Sequence, residues 1–153
     1  MASIAAMTDC LKNSQKSFYL VKEFNKIAKD PSVSCLLFTS TTAVPITKPL
    51  FPCYNISFYA DYSGVCVGSS LADLRIMTAT SNNVDKYFYL WDFEWLDNPI
   101  SHNTTCDLLR ENEIKIIARS ESHSKLIENY CNKKPVGILD DWNSEELRKI
   151  VGV

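Results

Sequence analysis

The five residues Arg119-Ser120-Glu121-Ser122-His123 form the densest cluster in the chain able to do chemistry. The Ser120 and Ser122 hydroxyls, with the free N–H groups of a helix beginning there, would face an anion. Arg119 suits a two-pronged grip on a phosphate or carboxylate. His123, one turn in, suits an acid or base. Glu121 opposes an anion at the same place and favours the helix dipole instead. Capping alone explains serine and glutamate at a helix start, so a well-capped helix with a surface histidine stands beside the anion-binding reading.

A second cluster is Trp91-Asp92-Phe93-Glu94-Trp95. Asp92 and Glu94 point the same way if the strand continues through them. Such a pair can serve as acid and base, and tryptophan faces line sugar and base pockets. The plainer alternative is a strand end whose aromatics pack the core while the carboxylates are solvated. Further polar groups follow other apolar runs: Thr39 to Thr42, Asp61-Tyr62, Ser69-Ser70 and Asp140-Asp141. The candidate catalytic residues are therefore Asp92, Glu94 and His123. The candidate substrate-binding residues are Arg119, Ser120, Ser122, Thr39 and Thr41.

These groups need a scaffold that gathers them. Phe18, Val21, Phe24 and Ala28, with Leu20 and Ile27, recur at helical spacing over 14–29, and Asp30-Pro31 stops that helix. Val33–Phe38 reads as a buried strand, Tyr54–Tyr59 as a second and Val65–Val67 as a third. Ser69 or Ser70 caps a helix carrying Leu71, Leu74, Ile76 and Met77. Tyr87–Trp91 is the strongest aromatic strand signal. Thr104–Glu111 reads as a short helix, Glu113–Ala118 as a strand, and Ser120 caps a helix through Cys131. Lys134–Leu139 is a last strand, and Asn143-Ser-Glu-Glu146 a capping box for a closing helix. Strands alternating with helices imply right-handed crossovers and a mostly parallel sheet. The expectation is a single α/β domain over 1–153, a three-layer Rossmann-like fold. Tyr87–Trp91 and Ile114–Ala118 should be interior strands, and ligands should bind beyond the carboxyl ends of the strands.

Composition narrows the function. The 153 residues carry four glycines, too dispersed for a Walker A loop or a G-x-G-x-x-G turn. Residues 1–76 hold 7 basic and 5 acidic side chains and residues 77–153 hold 9 and 13, and the only adjacent basic pairs are Lys133-Lys134 and Arg148-Lys149. Nucleic acid is thus an improbable partner. The six cysteines include no C-x-x-C pair, and His102 and His123 lie far apart, so neither a metal nor a cofactor is expected. No basic leader and no run of about 18 apolar residues is present, which excludes a membrane span and favours a cytoplasmic setting with reduced thiols. The sequons at Asn55 and Asn103 are then coincidental. Glu113 and Glu121 have seven residues between them, but without a Gly-Pro-rich context, and are read as chance.

Tyr87–Trp95, Ile116–His123 with Lys125–Asn129, and Lys134–Leu139 together resemble small phage-type glycosyltransferases and, more broadly, one Rossmann half of a GT-B enzyme. The resemblance covers roughly 86–151. It implies transfer of a sugar from a nucleotide-sugar donor, without an obligatory metal, in a host cytoplasm if the protein is viral. GT-B enzymes work across a cleft between two such domains. This chain has room for one, so activity implies a homodimer, a protein partner or a minimal fold. The competing expectation is a non-enzymatic protein-binding module on the same scaffold.

Overall fold

The computed structural model describes residues 2–42, 47–93, 99–111 and 113–153. Chain order is β1 (Ala2–Leu11), α1 (Gln15–Ile27), β2 (Val33–Thr42), β3 (Cys53–Asn55), a 3-10 turn (Ile56–Asp61), β4 (Gly64–Gly68), α2 (Leu71–Ala79), β5 (Val84–Leu90), α3 (Pro99–Arg110), β6 (Ile114–Ala118), α4 (Glu121–Cys131), β7 (Gly137–Ile138) and α5 (Ser144–Val151). The strands form one sheet in the order β3-β2-β1-β4-β5-β6-β7, with every pairing parallel. This is the expected three-layer Rossmann-like α/β fold, and β5 and β6 are interior.

Period-two alternation along each strand feeds two cores. From β1, Ile4 and Ala6 join Phe24, Ile27, Trp142 and Leu147 under α1 and α5. Ala5 and Met7 join Leu74, Met77, Leu109 and Ile127 under α2, α3 and α4. Serine caps start three helices: Ser14 accepts from Ser17 N–H, Ser70 from Asp73 N–H and Ser120 from His123 N–H.

The structure corrects several sequence expectations. Residues 2–11 were given no element, yet they form the central strand. Tyr54–Tyr59 is not a strand: β3 ends at Asn55, whose side chain accepts from Ser57 N–H and turns the chain into the 3-10 segment. The helix expected at Thr104 begins five residues earlier, at Pro99, a residue suited to a first helical turn. The last strand shrinks to Gly137–Ile138, although Val136 and Leu139 N–H still donate to the Ile116 and Ala118 carbonyls at 2.8 Å. The box at Asn143 is half formed. Asn143 caps Glu145 and Glu146 N–H, while the Glu146 carboxylate accepts from Asp140 N–H at 3.1 Å.

Glu23 joins the two helices of one layer. Its carboxylate is almost wholly buried, receives the Lys26 ammonium at 2.7 Å and accepts from Ser144 N–H at 3.2 Å. Burial alone would push its carboxyl up, but the bonds from Lys26 and Ser144 prevail and hold it below its ordinary 4.5. A folded value below the unfolded one adds stability above the unfolded value, and that stability is lost as pH falls through the folded one. Glu23→Gln should therefore cost about 1–2 kcal/mol at pH 7. Urea unfolding from pH 7 to pH 3 should show the difference from wild type flat down to about pH 5 and shrinking below 4.5. A difference that grows on acidification would refute this account.

Candidate functional site

In a parallel sheet, the carboxyl ends of all strands share one edge, and a crevice opens where chain order reverses. Here the chain runs outward from β1 to β2 and β3, then returns to β4 on the other side of β1. Strand lengths deepen the reversal. The β1–β4 ladder ends at Met7↔Gly68, whereas β1 continues beside β2 to Leu11↔Thr42. Thr8–Leu11 thus extend past β4 on its side of the sheet.

Gly68 makes the turn away possible. A Cβ there would lie 2.6 Å from Met77 Sδ and 3.0 Å from Asp73 Cβ, so α2 packs directly on the strand end. Two adjoining clefts fill the gap, of about 230 and 320 Å³. They share Asp9, Lys16, Ser70, Trp91 and Asp92. Lys16, in the first turn of α1, donates from Nζ to the Ser69 carbonyl at 3.2 Å and bridges the gap.

The polar groups below this crevice are unusually placed. Asp73 is fully buried and its Oδ2 accepts from Ser69 and Ser70 N–H at 3.0 and 2.7 Å. Burial pushes its carboxyl up, and the Asp9 charge adds to that rise, while the Ser69 and Ser70 bonds pull it down; the net direction is upward. Among the described residues, Asp73 Oδ1 and the buried Ser69 hydroxyl have no hydrogen-bond partner. Orphaned buried polar atoms are uncommon in folded proteins. Ser69 lines the crevice.

The Arg119–His123 turn lies at the same edge, after β6. The Arg119 guanidinium already has two partners. It pairs with Asp141 at 2.8 Å and stacks 4.0 Å above the Trp91 ring. Ser120 caps α4, and its hydroxyl meets that of Ser122 at 2.9 Å. His123 packs against Phe93 with ring centroids 4.6 Å apart, and its buried Nδ1 has no hydrogen-bond partner among the described residues. Its pKa is depressed below 6.5, first by burial and then by Arg119, with Asp92 opposing. Asp92, Arg119 and His123 therefore share one electrostatic neighbourhood.

Thr39 and Thr41 do not share it. They lie on β2, with β1 and β4 between them and β5, about 14 Å away at normal strand spacing. The Thr39 hydroxyl donates to the Thr41 carbonyl at 2.9 Å. Glu94 lies outside the described residues. Asp9, Lys12, Ser14 and Lys16 were missed because the β1–α1 turn cannot be read as a strand end until β1 is recognised. The one signal is a weak one: the apolar run Ile4–Met7, of which the alanines and methionine carry little strand preference, precedes a polar stretch that contains Ser14.

A larger cleft of about 600 Å³, lined by Arg75, Thr78, Leu108 and Glu111 among others, sits where α2 ends and β6 begins. Helix carbonyl ends gather there, and anions are disfavoured. Among the described residues, no cluster of histidine, cysteine or acidic side chains is arranged to hold a metal, and no helix is long and apolar enough to cross a membrane. Comparison with protein-family models, with curated proteins and with solved structures returns no match to this chain.

The His123 neighbourhood is directly testable. NMR titration should place its midpoint below 6.5. Arg119→Ala should raise that midpoint by removing a nearby cation, and Asp92→Asn should lower it further. Identical midpoints in all three proteins would separate these side chains.

Proposed function

We propose that the protein binds a nucleotide sugar in the crevice between β1 and β4 and acts in glycosyl transfer. The observation that carries the reading is the crevice itself, a cleft at the reversal point of a parallel sheet, lined by a buried Ser69 whose hydroxyl has no hydrogen-bond partner among the described residues. The resemblance of Tyr87–Trp95 and Ile116–His123 to phage-type glycosyltransferases supports the activity class. Lys12 and Lys16 offer mobile ammonium groups to a diphosphate, replacing the backbone cradle of a glycine-rich turn. Asp9 and Asp92 offer carboxylates to sugar or ribose hydroxyls.

In the proposed reaction an acceptor hydroxyl oxygen bonds to the anomeric carbon as the bond from that carbon to the phosphate oxygen breaks. Asp92, or neutral His123 beside it, takes the hydroxyl proton. Charge accumulating on the departing nucleoside diphosphate is met by the lysines.

Isothermal titration with UDP, UDP-glucose and GDP-mannose tests the binding step. Wild type should bind at least one of them. Lys16→Ala should weaken that affinity roughly ten- to a hundredfold, the worth of a charge-assisted bond of about 1.5–3 kcal/mol. Arg119→Ala should leave affinity intact and lower Tm by a few degrees, as its pairing with Asp141 and Trp91 is lost. A large affinity loss in Arg119→Ala alone moves the anion to the Arg119–Ser122 turn. Silence with every nucleotide defeats the proposal.

One observation favours a second reading, a protein-binding module. The edge strand β3 and the turn after it expose Tyr54 and Phe58, whose rings lie 6.3 Å apart, and Phe58 is 59% exposed. An edge strand with apolar cover is a template for pairing with another chain. On this reading sedimentation detects a dimer that Phe58→Glu dissociates. A protein that stays monomeric at high concentration excludes the homodimeric form.

A further inference from the structure

Away from the crevice, α3 and α4 pack together and bring two thiols into contact. Cys106 and Cys131 Sγ lie 3.9 Å apart, and both side chains are buried. One helical turn before Cys106, His102 places Nε2 3.8 Å from the Cys106 sulfur. Arg110, on the same helix, donates to the Cys131 carbonyl at 3.3 Å and to the Tyr130 carbonyl at 3.2 Å. The guanidinium thereby pins the last turn of α4 to α3. No other pair among the six cysteines, all of them free, has its sulfurs recorded in contact.

The two thiols are not equivalent. Burial first, and neighbouring Cys106 with it, push Cys131 up to about 12 against the pull of Arg110 and Lys133. Cys131 therefore keeps its proton, and Cys106 is the thiol with an imidazole beside it. A disulfide needs sulfurs about 2.05 Å apart. Closing from 3.9 Å takes a movement of about 1.9 Å.

We propose that Cys106 and Cys131 are a redox pair that forms a reversible disulfide when the protein meets a hydroperoxide, stapling α3 to α4. The Cys106 thiol passes its proton to His102 Nε2, and the thiolate attacks one peroxide oxygen. The O–O bond breaks, the departing hydroxide recovers the proton as water, and Cys106 becomes a sulfenic acid. The Cys131 sulfur then attacks the Cys106 sulfur. The S–O bond breaks, and the hydroxyl leaves as a second water with the Cys131 proton. Two thiols and one peroxide give one disulfide and two waters, and a dithiol reductant reverses the step by exchange. The inference is independent of any nucleotide binding at the crevice.

The test treats the folded full chain with stoichiometric hydrogen peroxide, then unfolds it, alkylates it and maps non-reduced peptides. The expected result is a peptide linking Cys106 to Cys131, a mass loss of two hydrogens, and recovery of both thiols with dithiothreitol. Cys131→Ser should leave a Cys106 sulfenic acid that dimedone traps, and His102→Ala should slow linkage several-fold while the same bond still forms. On exposure alone, Cys53 and Cys10 should react first, since Cys53 is exposed and Cys10 is partly so. Oxidation confined to Cys10 and Cys53, with Cys106 and Cys131 still alkylatable, overturns the proposal.

Discussion

Everything in this fold hangs on a strand buried on both faces. β1 supplies Ile4 and Ala6 to one core and Ala5 and Met7 to the other, all of them fully buried. It also pairs on both edges, with β2 on one side and β4 on the other. Adjacent alanines, one facing each layer, let the helices approach where longer side chains would hold them off. A charged or much larger residue at Ala5 or Ala6 would damage one of the two cores and the middle of the sheet at once. The same strand creates the crevice, because the chain leaves it in one direction and comes back to its other flank.

That crevice and the Arg119 turn divide the chemistry of the carboxyl edge between them. Arg119 has a structural task, closing the turn after β7 through Asp141 and covering Trp91. Lys12, in the β1–α1 turn, and Lys16, at the start of α1, have fewer fixed contacts: among the described residues the Lys16 ammonium has one hydrogen bond, to the Ser69 carbonyl. A rigid, doubly engaged guanidinium stabilises; a flexible ammonium at the rim of a cleft recruits. The acidic groups differ in the same way. Asp73 is locked beneath the α2 start by three bonds shared with Ser69 and Ser70, whereas Asp9 stands exposed at the rim.

Most of the fold was legible because its signals are local. Tyr87–Trp91 and Ile114–Ala118 are dense in β-branched and aromatic residues, and Ser70 and Ser120 sit where capping chemistry puts serine. β1 was not legible for the opposite reason. Its alanines and methionine carry little strand preference, and its identity comes from being sandwiched between two helical layers. Tyr54–Tyr59 erred the other way: its alternation is real, but Asn55 caps its own turn and diverts the chain. The candidate site inherited both outcomes. Asp92, Arg119 and His123 meet because their strands were read correctly. Thr39 and Thr41 stand apart because strand order, unlike strand identity, is a long-range property. The cysteine contact between α3 and α4 is of the same kind, since no spacing rule joins positions 25 residues apart.

Asp141 and Trp142 both adopt left-handed backbone conformations, with φ of 42° and 63°. For side chains of this size that geometry is costly and persists only where the surroundings impose it. Here three constraints do so. Arg119 holds Asp141, the Tyr89 hydroxyl donates to the Leu139 carbonyl at 2.6 Å, and the Trp142 ring is wedged between Phe24 and Tyr89. β7, the turn and α5 thus form one cooperative unit, whose amides share a single opening event rather than fraying from the chain end inward.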